Sequence, residues 1–273
     1  TGMHLSKRYG NTYKEILNDG FKIYKKIDMM ISGDTNSSIS KSVGLGIISF
    51  AKLFDIEKPD MVVLLGDRYE LFSAVIPANF QQIPILHIAG GDLTYGSQDD
   101  NIRHSVTKMS WLHAVSNIES KKRLIQLGEE SKRVFYCGSL GTERLENTKI
   151  LNKHTIEKLL NFKFNEKNIS ITYHSVTHET STPKKNFQEI LNALSLLKST
   201  KLIFTYPNAD ANNKIIINMI DNFVKKNENA ISFKSLGSHN YLSILNLVDC
   251  VLGNSSSGIL EAPSYKISTI NIG

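Results

Sequence analysis

Directly behind several short apolar runs this chain sets carboxylates, imidazoles and hydroxyls, the groups that move protons and hold phosphates. Gly66-Asp67-Arg68-Tyr69-Glu70 follows the run 61–65 and puts a carboxylate and a guanidinium at a turn into a helix, where unpaired N–H groups also favour anions. Asp67 has a plainer alternative, capping the helix expected over 69–80. After the run 84–88 comes Ala89-Gly90-Gly91-Asp92-Leu93-Thr94, in which two glycines let the backbone turn tightly and bring a carboxylate close to a ligand. A Gly/Ser-rich loop then leads to Asp99-Asp100-Asn101-Ile102-Arg103-His104. Helical spacing puts Arg103 on the face of Asp99 and His104 on that of Asp100. Taken alone, the Asp99–Arg103 pair is better read as an exposed helix pair worth about a few tenths of a kcal/mol.

His174 closes the run 169–173, and His178 follows in Ser175-Val176-Thr177-His178-Glu179. A His-x-x-x-His pair binds zinc when a helix brings both rings together; a strand ending in a Ser/Thr turn supplies none, so no metal is expected. At the carboxyl end of a strand, His174 is instead placed for acid or base work. Gly253-Asn254-Ser255-Ser256-Ser257-Gly258 follows 250–252 and opens a helix carrying Glu261. Hydroxyls and N–H groups at a helix start suit a phosphate, and a carboxylate one turn in accepts from a ribose hydroxyl. Simple capping needs one serine, not three.

The elements that must position these residues alternate along the whole chain. β-rich runs at 21–27, 61–66, 84–88, 112–115 and 134–137 are separated by amphipathic stretches such as 36–54 and 118–127. A lysine- and asparagine-rich stretch over 147–168, with one short helical pattern at 155–160, separates this half from the next. There, strands are expected at 169–173, 201–206, 231–233, 250–252 and 268–272, and helices at 185–197, 214–226, 241–248 and 258–262. The reading is α/β, two doubly wound parallel-sheet domains, 1–160 and 161–273. In such sheets ligands bind beyond the carboxyl ends of the strands, so an interdomain cleft is expected to gather the polar residues above.

At 273 residues and 41% apolar content the chain is long enough for two packed cores. No apolar run approaches the roughly 20 residues that cross a bilayer, and no charged-then-apolar leader opens the sequence, so neither a membrane span nor secretion is expected. Cys137 and Cys250 belong to no C-x-x-C pair, which suits a reducing cytoplasm. The net charge of +6 comes from lysine, 26 of the 32 basic residues, scattered without aromatic interleaving, so no nucleic acid is expected as a partner. No period of 20 to 50 residues repeats. The chain opens on Thr1 and stops just past the strand-like 268–272, so both ends read as cut from a longer protein.

Taken in order, Thr1-Gly2-Met3-His4-Leu5, Tyr9-Gly10-Asn11-Thr12, Gly66-Asp67-Arg68-Tyr69-Glu70, His87-Ile88-Ala89-Gly90-Gly91-Asp92, Ile102-Arg103-His104 with Thr107-Lys108, Thr172-Tyr173-His174, Pro207-Asn208-Ala209-Asp210 and Gly253-Asn254-Ser255-Ser256-Ser257-Gly258 form a set. That set resembles the UDP-N-acetylglucosamine 2-epimerases, in particular the hydrolysing branch that serves sialic-acid-type biosynthesis. The resemblance implies a GT-B fold of two Rossmann-like domains. It implies catalytic roles for Asp67, Asp92, Asp99 and His174, and substrate or UDP contacts for Arg68, Arg103, Asn208, Lys214, Ser255, Ser256 and Glu261. No cofactor is implied, a UDP-sugar is the expected partner, and a homo-oligomer, dimer or tetramer, is expected. Asp92 departs from the glutamate many members carry after the paired glycines. The family's first strand would precede Thr1, and an arginine-bearing loop would follow Gly273.

The C2 hydrogen of an N-acetylhexosamine has no carbonyl beside it and is too weakly acidic for simple removal. Breaking the C1–O bond to UDP first develops positive charge at C1, which lets a carboxylate, Asp92 or Asp99, take the C2 proton and leave a glycal. Arg68 and the 255–258 helix start would stabilise the departing diphosphate. Water then adds at C1 while His174 or Asp67 delivers a proton to the opposite face of C2, giving the inverted free sugar. Three alternatives compete: a non-hydrolysing epimerase that re-adds UDP, a GT-B glycosyltransferase that needs an acceptor, and a UDP-sugar binding protein without turnover. No intact G-x-G-x-x-G follows a first strand, so no nicotinamide is expected.

Overall fold

Strands and helices alternate in the computed structural model, which describes residues 1–33, 35–175 and 183–272. In chain order the first half holds α1 (Tyr13–Asn18), α2 (Asn36–Glu57), β1 (Val62–Leu65), α3 (Glu70–Phe80), β2 (Ile85–Ile88), α4 (Gln98–Lys108), β3 (Leu112–Val115), α5 (Ile118–Gln126) and β4 (Val134–Tyr136). There follow α6 (Leu140–Asn147), α7 (Lys153–Leu160), β5 (Lys167–Thr172), α8 (Pro183–Ser195), β6 (Thr200–Thr205) and α9 (Asn213–Lys226). The last are β7 (Ala230–Phe233), α10 (Gly237–Leu245), β8 (Cys250–Gly253), α11 (Ser257–Leu260) and β9 (Ser268–Asn271). Side-chain oxygens begin several helices where the sequence supplies them: Thr35, Ser97, Asn117 and Asn152 each accept from an N–H of the following turn.

The chain divides into two compact units, Thr1–Gly2 with Tyr24–Leu140, and Met3–Ile23 with Gly141–Gly273. The sequence reading put the boundary at 160/161. In the structure α6 and α7 lie with the second unit, because Leu145, Ile156 and Leu160 are apolar and pack into its core. Residues 21–27, expected as a strand, are irregular and pair with no strand among the described residues. The chain passes from one unit to the other there, and Phe21 and Tyr24 stand 69% and 72% exposed. Without a neighbour to take its N–H and C=O groups, a β-rich composition does not make a strand.

In the first unit four parallel strands lie in the order β1-β2-β3-β4. Leu64 and Ile85 pack against α2, α3 and α4 through Phe54, Val75, Ala78, Ile102 and Val106. In the second unit the order is β7-β6-β5-β8-β9, again all parallel. Alternate side chains of its central strands face opposite ways, as the pleat requires. Ile171, Leu202 and Phe204 join Phe187, Leu191 and Ile220 of α8 and α9 on one face, while Ile203 and Val251 join Ile156, Leu160, Ile244 and Leu245 of α7 and α10 on the other. Each such aliphatic side chain, taken from water, contributes about 1.5–3 kcal/mol before entropy is set against it. The strand order reverses between β5 and β8, and the loops after these two strands, carrying His174 and Asn254, flank that switch point. No helix among the described residues is long and apolar enough to cross a membrane.

Candidate active site

In the first unit every polar residue of interest leaves the sheet at a carboxyl end. β1 stops at Gly66, whose φ of 85° turns the chain out toward Asp67. The Gly66 carbonyl is held by His87 of β2, whose Nε2 lies 2.8 Å from it, and His87 Nδ1 lies 3.1 Å from the Thr107 hydroxyl. A carbonyl only accepts, so Nε2 carries the proton and Nδ1 takes the Thr107 hydroxyl hydrogen. Burial pushes the His87 pKa down to about 4, so the ring is neutral near pH 7. His87 is thus a strut behind Asp67.

The unfolded chain binds a proton at this histidine near its ordinary 6.5 and the fold only near 4, so between those values the unfolded state holds more protons. Stability should fall as pH drops from about 6.5 to about 4, by roughly 3 kcal/mol from this group, with no further loss from it below that. Thermal melts of the wild type and His87→Gln check this. The variant should be weaker near neutrality and show a shallower acid slope, and parallel curves would count against a buried neutral imidazole.

Arg103 of α4, 4% exposed, is the hub of the cluster. Its guanidinium donates to the Asp92 carbonyl at 2.8 Å, the Thr94 hydroxyl at 2.9 Å, Asp100 Oδ1 at 3.3 Å and the Asp67 carboxylate. Asp100 also accepts from the Thr94 N–H at 2.9 Å, and its other oxygen is 3.7 Å from His104 Nε2. Asp67 does not cap α3, whose N-cap residue is Tyr69 and which has no side-chain cap. Its neighbour Arg68 lies over the Tyr69 ring at 5.4 Å and 3.8 Å from the Glu70 carboxylate. Asp99 occupies the first turn of α4, half-buried, its N–H on the Ser97 hydroxyl at 3.2 Å.

The turn after β2 is tight: Ala89 takes a φ of 62° and Gly91 one of 85°. A Cβ on Gly90 would come within 2.9 Å of His87 Nδ1, and one on Gly91 within 2.7 Å of the Ser120 carbonyl. This close approach delivers the Asp92 carboxylate to Ser120 Oγ at 2.5 Å, Asn117 Nδ2 at 3.1 Å and Ser116 Oγ at 3.2 Å, at the N-terminal end of α5. Asp100, His87, Thr107, Ser116, Asn117 and Ser120 were not singled out from the sequence as site residues. The Asn117-x-x-Ser120 cap pattern straight after β3 is the signal that points to three of them.

In the second unit the backbone of His174 is bracketed by Asn254, which accepts from its N–H at 2.7 Å and donates to its carbonyl at 2.9 Å. The ring takes the Asn208 N–H on Nδ1 at 3.1 Å. His178, the second histidine of the spacing, lies outside the described residues. The expected helix over 258–262 is instead the single turn Ser257–Leu260, and Glu261 sits at its end rather than one turn in. A 3-10 turn, Ala262–Tyr265, follows directly, and Pro263 as its second residue stops the helix early. The three serines divide their work. Ser257 is buried with its hydroxyl 2.5 Å from Tyr241, Ser255 accepts the Ser257 N–H at 3.4 Å, and Ser256 is exposed. Glu261 Oε2 is buried without a hydrogen-bond partner among the described residues, an acceptor in want of a donor. Lys214, in the first turn of α9, is half-buried.

The family model for UDP-N-acetylglucosamine 2-epimerase matches residues 1–273. The chain belongs to that family. It is 46% identical, over its whole length and 71% of the relative's, to the GDP/UDP-N,N'-diacetylbacillosamine 2-epimerase (hydrolyzing) of Campylobacter jejuni subsp. jejuni. It is 34% identical, again over its whole length and 72% of the relative's, to the UDP-N,N'-diacetylbacillosamine 2-epimerase (hydrolyzing) of Legionella pneumophila. Among solved structures, that of the Methanocaldococcus jannaschii UDP-GlcNAc 2-epimerase in complex with UDP-GlcNAc and UDP shares the fold, with a TM-score of 0.80 at 17% identity over 99% of this chain and 74% of that one.

Proposed function

We propose that this chain is a hydrolysing UDP-N-acetylhexosamine 2-epimerase that eliminates UDP to a 2-acetamidoglucal and hydrates it to the C2-inverted free sugar, N-acetylmannosamine or a diamino-dideoxy analogue. The observation that carries the reading is the buried Arg103 guanidinium beyond the ends of β1 and β2, which bonds the Asp67 and Asp100 carboxylates and the Asp92 backbone carbonyl, with Asp99 in the first turn of the same helix. Membership of the epimerase family and the hydrolysing names of the two relatives support it.

The C1–O bond breaks with its electron pair leaving on the UDP oxygen, and Asp99 or Asp92 takes the C2 proton as the C1–C2 double bond forms. Arg68, Ser255 and Ser256 meet the developing diphosphate charge, with Asn208 and Lys214 assigned to the same substrate. Glu261 suits a ribose hydroxyl because its buried oxygen lacks a donor. Water then supplies hydroxyl at C1, and C2 is protonated from the other face. His174 has its Nδ1 occupied by the Asn208 N–H, so a neutral ring presents Nε2–H as a hydrogen-bond donor. His174 or Asp67 delivers the proton to C2, and the proton given up by the attacking water replaces it.

Turnover of UDP-N-acetylglucosamine and of its 4-amino-4,6-dideoxy relatives in deuterated water, followed by NMR, tests the reading. Free UDP and a free sugar carrying deuterium at C2 are expected. A product still joined to UDP would move the chain to the non-hydrolysing reaction, and retention of the original C2 hydrogen would remove the elimination.

A further inference from the structure

We infer that Asn213, backed by Tyr9, is a positioning residue that fixes which nitrogen of His174 carries the proton. This rests on the reading of His174 as a working group of the reaction. Asn213 opens α9 and is fully buried, at 0% exposure. Its Nδ2 donates to the Asn208 carbonyl at 2.8 Å and to the Tyr9 hydroxyl at 2.6 Å. The carbonyl can only accept, so the amide is oriented with Nδ2 toward it. Its Oδ1 is buried with no hydrogen-bond partner among the described residues, a cost of about 1–3 kcal/mol that a residue needed merely to fill space would not carry.

What the arrangement secures is Asn208. With the carbonyl on one side of its Cα held by Asn213, the residue is fixed in the loop, and the N–H on the other side, in the preceding peptide unit, stays on His174 Nδ1, 3.1 Å away. A backbone N–H cannot accept, so Nδ1 is kept unprotonated and the ring's proton stays on Nε2. The Ser175 hydroxyl, donating to the Ala211 carbonyl at 2.5 Å, ties the same two loops together one step further out. Tyr9 reaches this point from the N-terminal segment that belongs to the same unit. An imidazole presenting Nε2–H is a donor ready for a substrate oxygen; an imidazole free to exchange tautomers would spend part of its time presenting a lone pair instead.

The full chain, labelled with 15N-histidine, reports the tautomer of His174 directly through its two-bond proton–nitrogen correlations. Wild type should show a pyridine-like Nδ1. Asn213→Asp keeps the shape but replaces the donor by an acceptor facing the Asn208 carbonyl. It should bring His174 toward a mixture of tautomers and lower kcat by about tenfold, with KM changing by about twofold or less. Tyr9→Phe leaves the Asn213–Asn208 bond and should cost about threefold, and it serves as the second reading if the Asp variant folds poorly. A His174 pattern in Asn213→Asp like that of wild type, whether or not activity falls, would overturn the proposal and leave Asn213 a packing residue. The NMR arm needs no turnover, so a failure of the epimerase reading itself would appear as absent activity in wild type with the tautomer result still in hand.

Discussion

Replacing Arg103 with alanine should cost about 3–5 kcal/mol of stability and lower the melting temperature by about 10 °C or more. The guanidinium is 4% exposed and serves the Asp92 carbonyl, the Thr94 hydroxyl, Asp100 and Asp67 at once. Its loss leaves two partly buried carboxylates without their cation and two further acceptors without a donor. Because the same side chain ties the turn after β2 to the start of α4 and the end of β1, kcat should fall with it. Arg103→Lys should recover only a small part, since one ammonium on a flexible stem cannot span four acceptors held by a planar fork. Differential scanning fluorimetry together with steady-state rates checks this. A variant that melts with wild type and turns over normally would show that the cluster does not depend on its cation.

The largest loss of rate is expected at Asp99 and Asp92. Asp99→Asn should lower kcat by about 10²-fold or more while UDP-sugar binding changes little, because removal of a general base acts on the step at C2 and not on the nucleotide. Asp92→Asn should lose a similar factor. Its amide oxygen can take the place of Oδ1 on Ser116, Asn117 and Ser120, and the Ser116 hydroxyl can accept from its Nδ2, so the variant should melt close to Asp99→Asn. Ser255→Ala, by contrast, should weaken binding more than turnover. Rates and UDP-sugar affinities measured side by side separate these outcomes. Equal losses of affinity in all three variants would remove the assigned roles.

The strand–helix order was legible because it rests on local spacing. Helices α4 and α9 begin within a residue of where charge and apolar periodicity put them, and β5, β6 and β8 overlap their expected runs. The exception at 21–27 shows the limit of local reading: its residues suit a strand, but no ladder partner lies beside it among the described residues. Likewise Glu261 sits past the end of α11, because Pro263 and the packing of the following turn end the helix sooner than its composition suggests.

Types and places of the candidate groups were determined by sequence alone: carboxylates after β1 and β2, a histidine after β5, serines after β8. What each group touches was decided by the tertiary structure. Arg103 faces Asp99 by helical spacing, yet its guanidinium bonds to Asp67, 36 residues away, to the turn that begins at Asp92, and to Asp100. His174 is bracketed by Asn254, 80 residues on, only because β8 pairs with β5 in the register that sets Gly253 beside Thr172. Asp92 finds its three donors because β3 lies next to β2 and α5 starts at its end. A periodicity of 2 or 3.6 residues reports which way a side chain leaves its own element. Which element lies opposite depends on strand order and register, which are settled by the packing of the whole sheet.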